Sequence, residues 1–246
     1  MFTIALNGYE KTFKDCIDSQ REYCNKNNYE YVVIDYSPRA MQPIEAAWIK
    51  IPLILSALKN KYQWVAFIDS DCEIREFTPP FDQYLSEKDD EKSLFISLGK
   101  SQRLNSGVMI IRNSPESVKF FEDVYGFIDS KVPDTDKTPF ENGHIIYFGK
   151  NNSNIFVLDH NTWNNNSVID DQSYIQHYSS GLLREYYFKK YGHKKPSRII
   201  TKILSLFKSK QRLQQGKAYF EGILSIKIKE LVTAYVNKYP AYFKAL

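Results

Sequence analysis

The stretch FIDSDCEI (Phe67–Ile74) ends an apolar run in two carboxylates, Asp69 and Asp71, with Ser70 between them. On an extended segment, residues two apart face the same way. Carboxylates held close repel and raise one another's pKa unless a cation lies between them. A hard divalent ion with oxygen ligands relieves that repulsion and commonly keeps phosphate oxygens in its remaining positions. The pattern therefore points to a metal–diphosphate site. A solvated turn is the alternative, because a chance Asp-x-Asp is common in a chain with 29 acidic residues.

The elements that must position these acids read as alternating strands and helices. FTIALNG (2–8), YEYVVIDYS (29–37) and QWVAFID (63–69) are predicted strands, followed by SLFISLG (93–99), SGVMIIRNS (106–114) and NIFVLD (154–159). Helical spacing joins Phe13, Cys16, Ile17, Gln20 and Cys24, then Ile51, Ile54, Leu55 and Leu58. Ser114 and Pro115 open a third helix whose apolar face is Val118, Phe121, Tyr125 and Ile128, with serine as cap and proline in the first turn. A short helix is expected from Phe140. This alternation predicts an α/β layered fold with a mostly parallel sheet flanked by helices. Ligands of such sheets bind beyond the carboxyl ends of the strands. Asp35, Asp69, Asp71 and the exit Leu6-Asn7-Gly8-Tyr9 all fall there.

Composition narrows the class. The three cysteines, Cys16, Cys24 and Cys72, lack metal-binding spacing, and their odd number argues against a disulfide framework. No secretory leader and no membrane-spanning apolar run is visible, so the expectation is a cytoplasmic protein. Residues 1–188 carry a net −8 and residues 189–246 a net +12. The expected organisation is a catalytic body over 1–187 and a basic helical extension over 188–246. RIITKILSLF (198–207) gathers Ile199, Ile200, Ile203, Leu204 and Phe207 on one helical face. Ten Lys and Arg between residues 189 and 217 could bring that extension to an anionic membrane surface, peripheral at the inner face of the cell membrane. A helix packed on the body with a solvated basic face is the alternative. Nucleic acid is not expected, given the acidic body and the absence of a nucleic-acid motif.

Trp48-Ile49-Lys50, WVAFIDSDCEI (64–74), RLNSGVMIIRNS (103–114) and SYIQHYSSGLLRE (173–185) occur in that order. The series resembles the metal-dependent GT-A glycosyltransferases, nearest to the retaining group that includes glycogenin-like, galactosyl- and xylosyltransferases. The resemblance covers about residues 1–185 and implies a mixed, Rossmann-like version of the sheet. It implies Asp69, Asp71 and His177 as metal ligands for Mn2+ or Mg2+, with Asp71 the direct ligand and Asp69 an outer ligand or ribose contact. It implies Lys50 and Arg184, with Ser70 and Gly181 beside them, as diphosphate partners. Leu6, Asn7, Gly8 and Tyr9 would meet base and ribose; Asp35 could accept a hydrogen bond there, although a turn cap serves equally. Asn105, Ser106 and Gly107 would face the sugar, as neutral groups that can pair with hydroxyls. Glu141, Asn105 and Asp171 are the catalytic candidates, with Glu141-Asn142 standing where related enzymes commonly carry Asp-Gln.

The implied activity is hexosyl transfer from a nucleotide sugar, expected to be UDP-linked, to a glycan or lipid-linked acceptor with retention, in surface polysaccharide assembly. Two alternatives stand beside it. A haloacid-dehalogenase-type phosphohydrolase also ends a strand in Asp-x-Asp, but its motif comes earlier and continues differently after the second acid. A non-enzymatic sugar-binding or membrane-adaptor module would need no divalent ion.

Overall fold

The computed structural model describes residues 1–192 and 223–246. Six strands form one sheet in the order β2-β1-β3-β6-β5-β7. They are β1 (Phe2–Ile4), β2 (Val32–Ile34), β3 (Trp64–Ile68), β5 (Leu94–Leu98), β6 (Leu104–Arg112) and β7 (Ile155–Leu158). β1 pairs in parallel with β2 and β3, and β5 in parallel with β7. β6 runs antiparallel to both β3 and β5, so it alone reverses direction in an otherwise parallel sheet. The mostly parallel α/β fold expected from the alternation, and the mixed sheet implied by the resemblance, are present.

A second sheet of two strands, β4 (Cys72–Ile74) and β8 (Ile175–His177), was not expected from the sequence. Its antiparallel register sets Cys72 opposite His177. That pairing brings together two segments a hundred residues apart in the chain.

Helices cover both faces. α1 (Tyr9–Thr12) and α2 (Lys14–Lys26) follow β1, and α2 buries Cys16, Ile17, Gln20 and Cys24 on the predicted face. α3 (Pro43–Trp48) opens with a capping box in which Gln42 and Glu45 satisfy each other's backbone donors. α4 (Lys50–Leu58) is buried along its whole length. α5 (Phe81–Lys88), absent from the sequence reading, sits between β4 and β5. α6 (Pro115–Gly126) begins as predicted, with Ser114 accepting from the Ser117 amide. α7 (Asn142–Gly149), α8 (His160–Trp163) and α9 (Gly181–Lys190) complete the body.

The last described helix, α10 (Ile223–Lys238), changes the expected division of the chain. Leu224, Ile228, Leu231, Val232, Tyr235 and Phe243 belong to the same buried cluster as Phe2, Trp48, Ile54 and Phe67. Phe243 lies edge-on to Phe2 at 5.6 Å, and Asn60 donates to the Ala241 carbonyl at 3.2 Å. Residues 223–246 are therefore part of the body's core and not a separate extension. The amphipathic helix expected over 198–207 lies outside the described residues. No described helix is long and apolar enough to cross a membrane.

Candidate active site

The acids of the opening motif do not lie on an extended segment. The chain turns at Ser70 and Asp71, and the Cys72 amide donates back to the Asp69 carbonyl at 3.0 Å. Gln20, fully buried on α2, holds this turn by donating to the carbonyls of Asp69 (3.0 Å) and Cys72 (2.9 Å). The Asp69 amide donates to the Gly107 carbonyl at 2.8 Å, which ties the turn to β6. The two carboxylates consequently share His177 and take different cations besides, Lys50 for Asp69 and Arg184 for Asp71.

Asp71 faces His177 Nε2 at 3.2 Å and Arg184 at 2.5 Å. Asp69 faces Lys50 Nζ at 3.3 Å and stands 3.9 Å from His177 Nε2. Lys50 is buried beneath them and also meets Glu141 at 3.0 Å. Glu141 in turn accepts from the Ser106 hydroxyl at 2.7 Å. The sequence expectation thus comes together in space for Lys50, Asp69, Asp71, Ser106, Glu141, His177 and Arg184.

Burial and charge push the two acids apart. Withdrawal from water lifts the Asp69 carboxyl above its ordinary range in spite of Lys50, and Asp71 adds to the lift. Burial opposes ionisation of Asp71 too, but His177 and then Arg184 outweigh it and hold Asp71 well below that range. Burial would lower His177, yet Asp71 and then Asp69 raise it. In Lys50 the burial cost is overcome by Asp69 and Glu141, which hold the ammonium charged.

The donor set suits a divalent cation. Among the described residues, Asp71, Cys72 and His177 form the group whose ligand atoms lie within 4.8 Å of one another. Cys72 is a poor member: it sits in the apolar cluster with Ile68 and Phe81, and burial raises its thiol well above the ordinary value. A soft, protonated sulfur is ill-matched to a hard ion, whereas carboxylate oxygen and imidazole nitrogen are both donors that first-row divalent ions accept. Asp71 and His177 would hold the ion, with Asp69 outside that group, as an outer ligand. Gly107 keeps the space open, since a Cβ there would come within 2.6 Å of His177, 2.9 Å of Asn105 and 2.9 Å of Asp69.

The remaining candidates divide. The exit after β1 is exposed at Asn7, Gly8 and Tyr9, while Leu6 is buried beneath it. Asn7 and Gly8 both have positive φ, 57° and 86°, a left-handed conformation that glycine adopts without strain. The Tyr9 ring lies 5.2 Å from Phe13, and Arg184 stacks on Phe13 at 5.1 Å, so this exit adjoins the Asp71 partner. Gly181 starts α9 at positive φ, one turn ahead of Arg184. Asp35 is exposed and accepts a long 3.5 Å contact from Tyr239 just after α10.

Two catalytic candidates change standing. Asp171 is 89% exposed, 3.7 Å from Arg75, and lines a separate acidic cavity of about 610 Å³ with Asp15, Glu73 and Glu76; nothing draws it to Asp69 and Asp71. Glu141 is 3% exposed and engaged by Lys50 and Ser106, so it fixes those groups and does not reach outward as a base. His144 and His160 take structural partners, the Ser130 carbonyl and the Leu98 carbonyl with Ser167, and His193 lies outside the described residues. Asn164 was missed by the sequence reading: it is fully buried and bridges Asn105 and His177. It sits in a run of asparagines (164–166), where nothing in local spacing marks one as special.

The solved structures carry this arrangement of sheet and helices. A glycosyltransferase involved in the glycosylation of the major capsid of PBCV-1 superposes with a TM-score of 0.57 at 14% identity, over 73% of this chain and 95% of that one. The apo-form glycosyltransferase GlyE of Streptococcus pneumoniae TIGR4 superposes at 0.50 and 13% identity, over 83% of this chain and 62% of that one. This protein has the GT-A glycosyltransferase fold. Residues 3–80 of the GT-A chain also match the galactosyl transferase GMA12/MNN10 family, a stretch running from β1 through β4. The probable alpha-1,2-galactosyltransferase gmh2 of Schizosaccharomyces pombe is 29% identical over 72 residues, 28% of this chain and 20% of that protein. The GT-A fold removes the haloacid-dehalogenase alternative, which rested on the Asp-x-Asp alone.

Proposed function

We propose that this GT-A protein transfers a hexose, galactose first among the candidates, from a UDP-linked sugar to a glycan or lipid-linked acceptor hydroxyl, assisted by a divalent cation. One observation carries the reading: Asp71 and His177 converge with Arg184, Asp69 and Lys50 at the carboxyl edge of the sheet. The leaving group of such a reaction is a nucleoside diphosphate whose negative charge grows as the glycosidic bond breaks. An ion held by Asp71 and His177 would supply electrostatic stabilisation of that charge.

The chain's own residues take the remaining tasks. Arg184 is partly exposed and pairs with Asp71, so it can turn a guanidinium donor toward a phosphate oxygen. Lys50 is buried, and its task is to keep Asp69 ionised and aimed. Tyr9 offers an exposed ring to the base, and Asn105 offers an amide to a sugar hydroxyl. The galactose preference rests on the matched family and on the fission-yeast relative. An α-linked product formed from an α-linked sugar nucleotide is retention, which makes retention part of the same proposal. The proposal extends to an anionic membrane surface, supported by the basic residues 189–217, and to a cytoplasmic position, supported by three cysteines without disulfide spacing; a role in surface polysaccharide assembly is proposed with them.

The test is release of nucleoside diphosphate from UDP-galactose, UDP-glucose and GDP-mannose, with and without Mn2+. We expect Mn2+-dependent turnover of a UDP-sugar that EDTA abolishes. Failure of every sugar nucleotide to bind or turn over with metal would sink the proposal, and binding without turnover would favour a sugar-binding module.

A further inference from the structure

The direction of a buried hydrogen-bond relay can be fixed from a single backbone donor. The Gly107 amide can only donate, and it donates to Asn105 Oδ1 at 3.0 Å. That fixes which end of the Asn105 amide is oxygen. The same oxygen lies 2.9 Å from the Asn164 side chain, so the Asn164 atom facing it must be the donor, Nδ2. The other end of the Asn164 amide is then Oδ1, an acceptor, and it lies 2.8 Å from His177 Nδ1. His177 Nδ1 must therefore carry a proton. Nε2, the ring nitrogen facing Asp71 and Asp69, is left to present its lone pair whenever the ring is neutral.

We propose that Asn164 is the positioning residue of the metal site, fixing the tautomer and the ring plane of His177 so that Nε2 is presented as a ligand. Three features make the relay rigid. Asn164 has no exposed surface and His177 only 4%, so water does not compete for either group. Asn164 follows α8, where its own amide donates to the His160 carbonyl at 3.2 Å and locks the backbone. The neighbouring Asn165 amide donates to the Ile175 carbonyl and its carbonyl accepts from the His177 amide, both at 2.9 Å, which joins this segment to β8. Partners of this kind raise ligand basicity and orient the ring, and their loss typically weakens metal binding about 10–100-fold.

The inference rests on the metal reading above, and two variants separate its failure from that of the reading. Asn164→Leu keeps the volume and removes the acceptor; Asn164→Asp keeps the acceptor for Nδ1–H and removes the donor to Asn105. We expect the Mn2+ dissociation constant, measured by electron paramagnetic resonance, to rise about 10–100-fold in Asn164→Leu and to stay within a few-fold of wild type in Asn164→Asp. A merely structural asparagine would make the two variants fail alike. Wild-type affinity in Asn164→Leu overturns the proposal. The second readout needs neither metal nor variant: ¹⁵N spectra of the metal-free wild type, at a pH where the His177 ring carries one proton, should place it on Nδ1. A proton on Nε2 overturns the inference even if Asn164→Leu fails to fold. Absence of Mn2+ binding in the wild type would instead count against the metal reading and leave the tautomer result to decide the role of Asn164.

Discussion

At the scale of residues, Lys50 is the hinge of the charge arrangement. It neutralises Asp69 and Glu141 at once from a position that is 7% exposed at the side chain. Removing one partner from a buried ion pair leaves an uncompensated charge, at a cost of about 3–5 kcal/mol. Lys50→Met should therefore destabilise the protein by about that amount in guanidinium melts. Glu141→Gln added to Lys50→Met should recover part of the loss, because it deletes one stranded carboxylate. Strict additivity of the two changes would contradict the shared network. Gly107 yields a different outcome. A methyl at this position would overlap His177, Asn105 and Asp69 together. Gly107→Ala should weaken Mn2+ binding at least about tenfold while costing about 1–3 kcal/mol of stability. Calorimetric titration against a thermal melt separates the two effects. These residues were legible because short motifs carry their types in order. Asn164 and Gln20 were not, since an asparagine in a polar run and a glutamine on a helix face become functional only through contacts made across the fold.

At the scale of elements, the site is assembled by the short β4–β8 ribbon, which sets Cys72 opposite His177. The sequence places Asp71 and His177 on separate motifs. Nothing in either motif says that the strands pair, because each is three residues long and shows no period of its own. The long elements were legible from apolar periodicity and from caps such as Ser114-Pro115. The start of α3 gives a pH prediction. Burial opposes the Glu45 charge, but the Arg39 guanidinium, at 3.0 and 2.9 Å, and the Gln42 amide, at 2.7 Å, outweigh it and lower its pKa below the ordinary 4.5. A lowered folded-state pKa means that the stabilisation is fully present above pH 4.5 and is lost as pH falls through the folded value. Glu45→Gln should cost about 1–2 kcal/mol at neutral pH. It should also flatten the decline in stability below pH 4.5 expected of the wild type in urea melts. Parallel declines in both proteins would mean that Glu45 does not contribute to acid lability.

At the scale of the whole molecule, the chain closes on itself. Its C-terminal residues return to the first strand and to α4, so the core that supports the site contains both ends of the described chain. Charge had suggested a catalytic body with an appended basic tail, and charge is silent about burial: the basic residues of α10 lie among apolar ones that face inward. Leu231 and Tyr235 are buried there at helical spacing, a pattern the sequence carries but that its charge masks. Phe243 is 2% exposed against Phe2, which sits on β1 directly before the Leu6–Tyr9 exit. Truncating a buried aromatic leaves a cavity as well as lost transfer energy, about 3–5 kcal/mol. Phe243→Ala should therefore lower stability by about that amount; Phe243 shares its cluster with Phe67, whose ring lies under the Lys50 ammonium. A chain ending at Lys190 would strip the cluster of Leu224, Ile228, Leu231, Val232, Tyr235 and Phe243 together, at about 1.5–3 kcal/mol each, a loss comparable with the 5–15 kcal/mol that a domain of ordinary stability holds. It should give no cooperative unfolding transition by circular dichroism and should bind hydrophobic dye, while retaining every residue proposed to hold metal and diphosphate. A folded, cooperative fragment that still binds Mn2+ would instead show that the catalytic body is self-sufficient and that the returning segment is dispensable.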